Sequence, residues 1–280
     1  MKKIAVIGAG VIGITSILQL IEQRTNLNAE NDCKIVWLYD TSIDIFGIGE
    51  STTPSLSGQI ASPPSYLRYD SKDYFDATIK FGNRFVGWGK NGGDFTRYFP
   101  MSTAAIHFDT RLFSSFFIEH LNEESCYNFE SRDTKIKSIS FDQDPIGGHC
   151  FGVVIDGESF DFVLDCSGGK SLVNDDYYFD SPFETCNTVL ATRLPEPADW
   201  GYTLTQTTRN GWMFGIPLQS RQSFGYLYND TITTKGDAID NFKTYCNDID
   251  SNKLREFKFK SYSANSFFDG RVSVSYTHLT

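Results

Sequence analysis

The chain has 280 residues, 40% of them hydrophobic and 21% charged, enough to bury the core of one large soluble domain or two interleaved ones. Its 25 basic and 35 acidic residues leave a formal charge of −10, which repels phosphate backbones and argues against a nucleic-acid partner. No apolar run is long enough to span a membrane.

The six cysteines form no CxxC pair and no cluster with the four histidines, so a metal site is not expected and the reduced thiols of a cytoplasmic protein are. Lys2-Lys3 ahead of the mostly apolar residues 4–21 has the look of a secretory leader. Glycines at G-x-G-x-x-G spacing inside it, and the lack of a small-residue cleavage site, argue against that reading. Aromatic residues, at 15%, suit an interior that receives flat rings, although aromatic-rich cores are common.

Residues 3–7 read as a buried strand, residues 11–23 as the following helix and residues 34–39 as a second strand, a βαβ opening. Gly8, Gly10 and Gly13 lie at the strand-to-helix turn. There the first permits the tight turn, the second lets backbone approach a pyrophosphate, and the third lets helix and strand touch. Asp40 closes the second strand, 40 − 13 = 27 residues after the last glycine, and is placed to accept from the hydroxyls of an adenosine ribose; a turn aspartate is the other reading.

Residues 47–64 are rich in Gly, Ser, Thr and Pro and read as loops around a short helix near Pro54. Residues 112–123 carry apolar side chains at helical spacing, and residues 135–141 and 151–155 read as short strands. Residues 160–166 form a further buried strand running into Asp165-Cys166-Ser167-Gly168-Gly169. A nicotinamide dehydrogenase needs no such second element, whereas two-dinucleotide FAD folds use one against the flavin; an ordinary glycine turn is the alternative. Residues 188–194, 212–217 and 223–228 alternate as an antiparallel sheet does.

Four blocks resemble the flavin-dependent tryptophan halogenases. Gly47-Ile48-Gly49-Glu50-Ser51-Thr52-Thr53-Pro54 is similar to that family's G-x-G-E-A/S-T-x-P segment, and Asp76-Ala77-Thr78-Ile79-Lys80-Phe81-Gly82 to its A-T-F-K-x-G block. Asp165 to Gly168 matches its D-C-S-G, and Gly211-Trp212-Met213-Phe214-Gly215-Ile216-Pro217-Leu218 resembles its G-W-x-W-x-I-P-L signature. The blocks stand in family order across almost the whole chain.

The resemblance implies that reduced FAD, supplied by a separate flavin reductase, reacts with oxygen and halide to give a hypohalous species that a lysine holds for attack on an electron-rich, indole-like ring. Together with the glycine spacing it assigns cofactor contacts to Gly8, Gly10, Gly13, Asp40, Gly49, Glu50, Ser51, Thr52, Asp165 and Gly168, the catalytic role to Lys80, a place along the substrate tunnel to Trp212, Phe214, Ile216 and Pro217, and the separation of substrate from flavin to Trp212. A partly buried ammonium suits the lysine's task, because it stays cationic and aims a donor at the oxidant; a surface lysine beside an aromatic strand is the alternative. Phe214 replaces the second signature tryptophan and Thr53 the apolar residue before the proline.

The resemblance also implies a later glycine-rich stretch with an active-site glutamate, which is not in this sequence. Residues 274–279 are similar to what one frame of a sequencing adapter encodes, so residues 272–280 are expected to be a non-native tail, with a genuine alternating strand as the alternative.

The expected fold is α/β: a two-dinucleotide, Rossmann-type FAD domain of residues 1–79 and 145–178, interleaved with an antiparallel-sheet, substrate-facing region of residues 80–144 and 179–271. Two rival functions share the scaffold. One is a flavin monooxygenase or reductase, which direct reduction of FAD by a nicotinamide would favour. The other is an inactive flavin-binding fragment, which loss of FAD on purification would favour.

Overall fold

A computed structural model describes residues 1–45, 47, 50–56, 71–121, 127–143, 150–168, 172, 178–180, 185–247, 249–259, 262–264, 268–269 and 271–274. From the N-terminus the chain runs through β1 (Lys2–Ile7), α1 (Val11–Asn26) and β2 (Cys33–Tyr39), then β3 (Thr78–Lys80), β4 (Gly82–Val86), β5 (Phe95–Tyr98) and β6 (Ala105–His107). Next come α2 (Thr110–His120), β7 (Phe129–Asp133), β8 (Ile139–Gln143), β9 (Cys150–Ile155), β10 (Glu158–Phe160) and β11 (Phe162–Asp165). The remainder is β12 (Tyr178–Asp180), β13 (Thr188–Leu194), β14 (Tyr202–Thr208), β15 (Gly211–Pro217), β16 (Gln222–Tyr228), α3 (Lys235–Tyr245), β17 (Arg255–Lys258), β18 (Tyr262–Ala264), β19 (Phe268–Asp269) and β20 (Val272–Val274).

The first large sheet has the order β19-β20-β11-β1-β2-β7, and all its pairs are parallel except β19 with β20. Both faces are covered, so its central strands carry continuous apolar runs rather than alternation. On one face Val6, Ile35 and Trp37 pack with Ile14, Ile17 and Ile21 of α1 and with Phe113 and Phe117 of α2. On the other, Ala5, Ile7, Val36 and Leu38 meet Val153, Ile155 and Phe160 of the small β8-β9-β10 sheet. The helix foreseen at 112–123 starts two residues earlier, because the Asp109 carboxylate caps it by accepting from the backbone N–H groups of Arg111 and Leu112.

The second large sheet has the order β17-β13-β16-β15-β14-β4-β5 and is antiparallel except where β14 runs parallel to β4. Helix α3 covers one face, with Phe242 and Ala238 against Met213 and Tyr226. Strands 188–194, 212–217 and 223–228 stand where the alternation places them, give or take one residue. β14 and α3 were not foreseen.

The chain therefore mixes a Rossmann-type parallel sheet with an antiparallel sheet, as expected, but two boundaries differ. Residues 129–133, placed with the substrate-facing region, form β7 on the edge of the parallel sheet, where they pair with β2. Residues 272–274, placed in the tail, form β20 beside β11, with Val272 fully buried. Residues 275–280 lie outside the described residues.

Candidate functional site

The parallel sheet changes direction of winding between β1 and β11, and an α/β sheet opens a crevice for ligands at such a point, beyond the carboxyl ends of its strands. Ile7 pairs with Asp165 at that end, so the two glycine turns are neighbours although 157 residues separate these partners. They are in contact. Gly8 has φ +105°, and a Cβ on it would stand 2.5 Å from the Cys166 carbonyl oxygen; one on Gly13 would stand 2.3 Å from the Gly8 carbonyl oxygen. These glycines are required by protein packing alone. Gly10 differs: nothing lies within 4 Å of a Cβ there, and its φ of −74° suits any residue. It borders open space at the N-terminus of α1, where backbone N–H groups and the helix dipole favour an anion. The Trp37 indole Nε1 donates to the Gly8 carbonyl at 2.9 Å and holds the turn from beneath.

The residues present fit a dinucleotide. Asp40 stands at the same strand end; its Oδ1 accepts from the Ser42 N–H and hydroxyl, but its Oδ2 is buried with no partner among the described residues. The Ser167 hydroxyl, in the second glycine turn, is likewise buried and without a partner among the described residues. Buried polar atoms are rarely left so without a partner to come. Gly168 has φ +73°, and no described residue lies within 4 Å of a Cβ built on it. Asp165 is fully buried, and its two oxygens accept from the backbone N–H groups of Ser167 and Leu172, which makes it the shaper of this turn.

The second cluster forms where β3, β6 and the segment after Glu50 meet. Thr78 pairs with His107 and Lys80 with Ala105, and Ser51 bridges to His107 from the other side. In β3 the usual alternation is inverted. Ile79 is 56% exposed, and so is Phe81 just beyond the strand at 51%, while Lys80 is only 6% exposed. Polar side chains turned inward against their hydropathy mark a position that stability alone would not select.

Lys80 Nζ donates to Ser51 Oγ at 2.7 Å and to the Thr52 carbonyl at 3.3 Å, and lies 5.6 Å from the Phe99 ring centre. Among the described residues no carboxylate pairs with it. Burial therefore pushes its ammonium down from 10.5 to about 8.

Ser51 Oγ lies 3.4 Å from Thr203 Oγ1, which lies 3.0 Å from His107 Nε2, and Thr78 Oγ1 donates to the Pro217 carbonyl at 2.7 Å. Three of the sequence blocks so converge on one hydrogen-bonded cluster. His107 was missed because it belongs to none of the recognised blocks. Its signal was its position, three residues before the first helical residue of α2.

Glu50 takes no such open place. It is fully buried, accepts from Arg221 Nη2 at 2.9 Å and from Ser223 Oγ at 2.8 Å, and shares Arg221 with Asp109. Thr52 is also spoken for, since its hydroxyl accepts from the Ile106 N–H. Gly49 lies outside the described residues.

On β15, Trp212 pairs with Thr207 and Leu227, and Phe214 with Thr205 and Gly225. Both point away from Met213 and its α3 cover, with rings 6.4 Å apart. The Phe214 ring lies on Gly225, where a Cβ would stand 2.3 Å from it. Ile216 and Pro217 are buried; Ile216 continues the Trp212 face, and Pro217 contributes its carbonyl to Thr78.

The fold and the two clusters define a Rossmann-type dinucleotide-binding protein with a buried lysine at the margin of an antiparallel sheet. The chain belongs to the tryptophan halogenase family, whose model matches residues 3–106 and 101–274. Its fold is that of BrvH, a flavin-dependent halogenase from Brevundimonas sp. BAL3 (TM-score 0.76, 19% identity, 98% of this chain and 66% of that one). It is also that of Xcc4156, a flavin-dependent halogenase from Xanthomonas campestris (TM-score 0.76, 17% identity, 98% and 65%). A tryptophan 6-halogenase, SttH, from Streptomyces toxytricini matches similarly (TM-score 0.77, 13% identity, 98% and 66%). The chain spans just under two-thirds of the length of these structures. No curated protein sequence matches it.

Proposed function

We propose that the protein carrying this chain is an FAD-dependent halogenase of an electron-rich, indole-like aromatic compound, with halide as co-substrate and reduced FAD from a separate flavin reductase. The observation that carries this is Lys80: a buried ammonium without a carboxylate partner is costly to keep and is repaid only by function. A cytoplasmic location belongs to the same reading. Among the described residues no helix is long and apolar enough to cross a membrane.

Backbone N–H groups at the start of α1 would hold the pyrophosphate beside Gly10, with Asp40 Oδ2 available to accept from a ribose hydroxyl and Ser167 Oγ a further polar contact for the dinucleotide. The reduced flavin, when bound, supplies oxygen activation. Lys80 spends two of its three N–H donors on Ser51 and Thr52. The third would donate to the oxygen of the hypohalous species and draw electron density from it; as the ring takes the halogen the oxygen–halogen bond breaks, and the departing hydroxide with the proton lost from the ring gives water. With its ammonium at about 8, Lys80 is mostly cationic at neutral pH. Trp212 and Phe214 form an aromatic wall, which we assign to separating flavin from substrate.

Lys80→Ala tests the reading. With reduced FAD, oxygen, halide and an indole, the variant should consume oxygen at the wild-type rate while halogenated product falls by about 100-fold or more. Product yield equal to wild type would overturn the lysine assignment.

A further inference from the structure

We infer that His107 is a positioning residue for Lys80, acting as the fixed turning point of a one-directional hydrogen-bond chain that runs from Lys80 through Ser51 and Thr203 to His107 and on through Thr78 to the Pro217 carbonyl. The inference rests on the lysine reading for its functional meaning, but its tests do not.

The direction follows from counting protons. The Pro217 carbonyl can only accept, so the Thr78 hydroxyl spends its one proton there, at 2.7 Å. Thr78 Oγ1 is then an acceptor toward His107 Nδ1, 3.3 Å away, and Nδ1 must carry the imidazole proton. His107 is fully buried; burial and the nearby Lys80 charge together push it down to about 3 and keep it neutral. Its Nε2 is therefore bare and accepts from the Thr203 hydroxyl at 3.0 Å. Thr203 has no second proton, so it accepts from the Ser51 hydroxyl at 3.4 Å, and Ser51 in turn accepts from Lys80 Nζ at 2.7 Å.

Each hydroxyl accepts once and donates once, and only this direction satisfies every member. Such chains polarise along their length, so Ser51 Oγ is a better acceptor for the ammonium than a lone serine would be. The consequence is positional. Two of the Lys80 donors are held by the chain and the Thr52 carbonyl, and the third is left in one direction. The chain also ties Lys80 to the end of β15, the strand that bears Trp212 and Phe214.

Histidine labelled with nitrogen-15 shows the tautomer directly by NMR at neutral pH, the His107 signals being those missing from His107→Gln. A protonated Nδ1 with a bare Nε2 is expected, and a protonated Nε2 or an imidazolium would overturn the inference. The titration of Lys80, followed with carbon-13 at Cε and assigned by Lys80→Met, gives the second test. Thr203→Val removes the link and should lower the Lys80 midpoint by roughly 0.2 to 0.6 of a pH unit, and Thr203→Ser should restore it. An unchanged midpoint in Thr203→Val, or one shifted equally in Thr203→Ser, would show that the chain does not act on Lys80. Neither measurement needs halogenation, so a failed lysine reading and a failed chain are distinguishable.

Discussion

Replacing Lys80 by Met removes a buried charge while keeping an unbranched side chain of similar length over Phe99. The ammonium stands at about 8 in the folded chain against 10.5 for an ordinary lysine, which corresponds to about 3 kcal/mol of destabilisation carried at neutral pH. The substitution also leaves the Thr52 carbonyl and Ser51 Oγ without the Lys80 donor, a loss of about 1–2 kcal/mol together. Lys80→Met should therefore be the more stable protein at pH 7 by about 1–2 kcal/mol.

The pH dependence has a definite sign. Below about pH 8 the lysine is charged in both folded and unfolded chains, and the penalty is full. Between about 8 and 10.5 only the unfolded chain keeps the proton, so wild type gains stability as pH rises and the gap closes. Above that range the penalty is gone and only the lost hydrogen bonds remain, which should leave the variant slightly the weaker. Urea unfolding of both proteins at pH 7 and at pH 10 measures this. A variant less stable than wild type at pH 7, or a gap that does not change with pH, would refute the reasoning.

Gly10→Val should abolish FAD binding in a flavin absorbance titration and leave thermal unfolding near wild type, because no described residue lies within 4 Å of the new Cβ; stoichiometric FAD in the folded variant would contradict the site. Gly13→Ala should instead weaken the fold, losing about 3 kcal/mol in denaturant, since its Cβ meets the Gly8 carbonyl at 2.3 Å. Arg221→Met takes the shared guanidinium from the buried Glu50 and Asp109, leaving Glu50 with Ser223 and with Arg193 at 3.7 Å, and should cost about 3 kcal/mol at pH 7. Burial pushes the Asp109 carboxyl up and Arg221 overrides it, holding it below the ordinary range. The loss in Arg221→Met should accordingly shrink on acidification, as the Asp109 carboxyl takes up a proton, and a loss that grows toward acid would count against this account.

What the sequence by itself determined was local. The turn at Gly8, Gly10 and Gly13, the helix after it and the alternating strands of the antiparallel sheet follow from spacings of two to four residues, which set the backbone and the buried face without reference to distant chain. The four motif blocks were equally legible, because each is a short string. Short strands without a clear period, such as β7 and β20, were not, since their place is decided by neighbours rather than by their own pattern.

Only the tertiary structure decided which residues meet. It set the Gly8 turn against Cys166 and separated Gly10, which faces open space, from two glycines that packing requires. It turned Glu50 away from an open role and into the ion pair with Arg221. Above all it brought His107 and Thr203, which belong to no recognised block, between Ser51 and Thr78. A buried ammonium needs partners within hydrogen-bond reach in space, and spacing along the chain carries no record of a partner more than a hundred residues away.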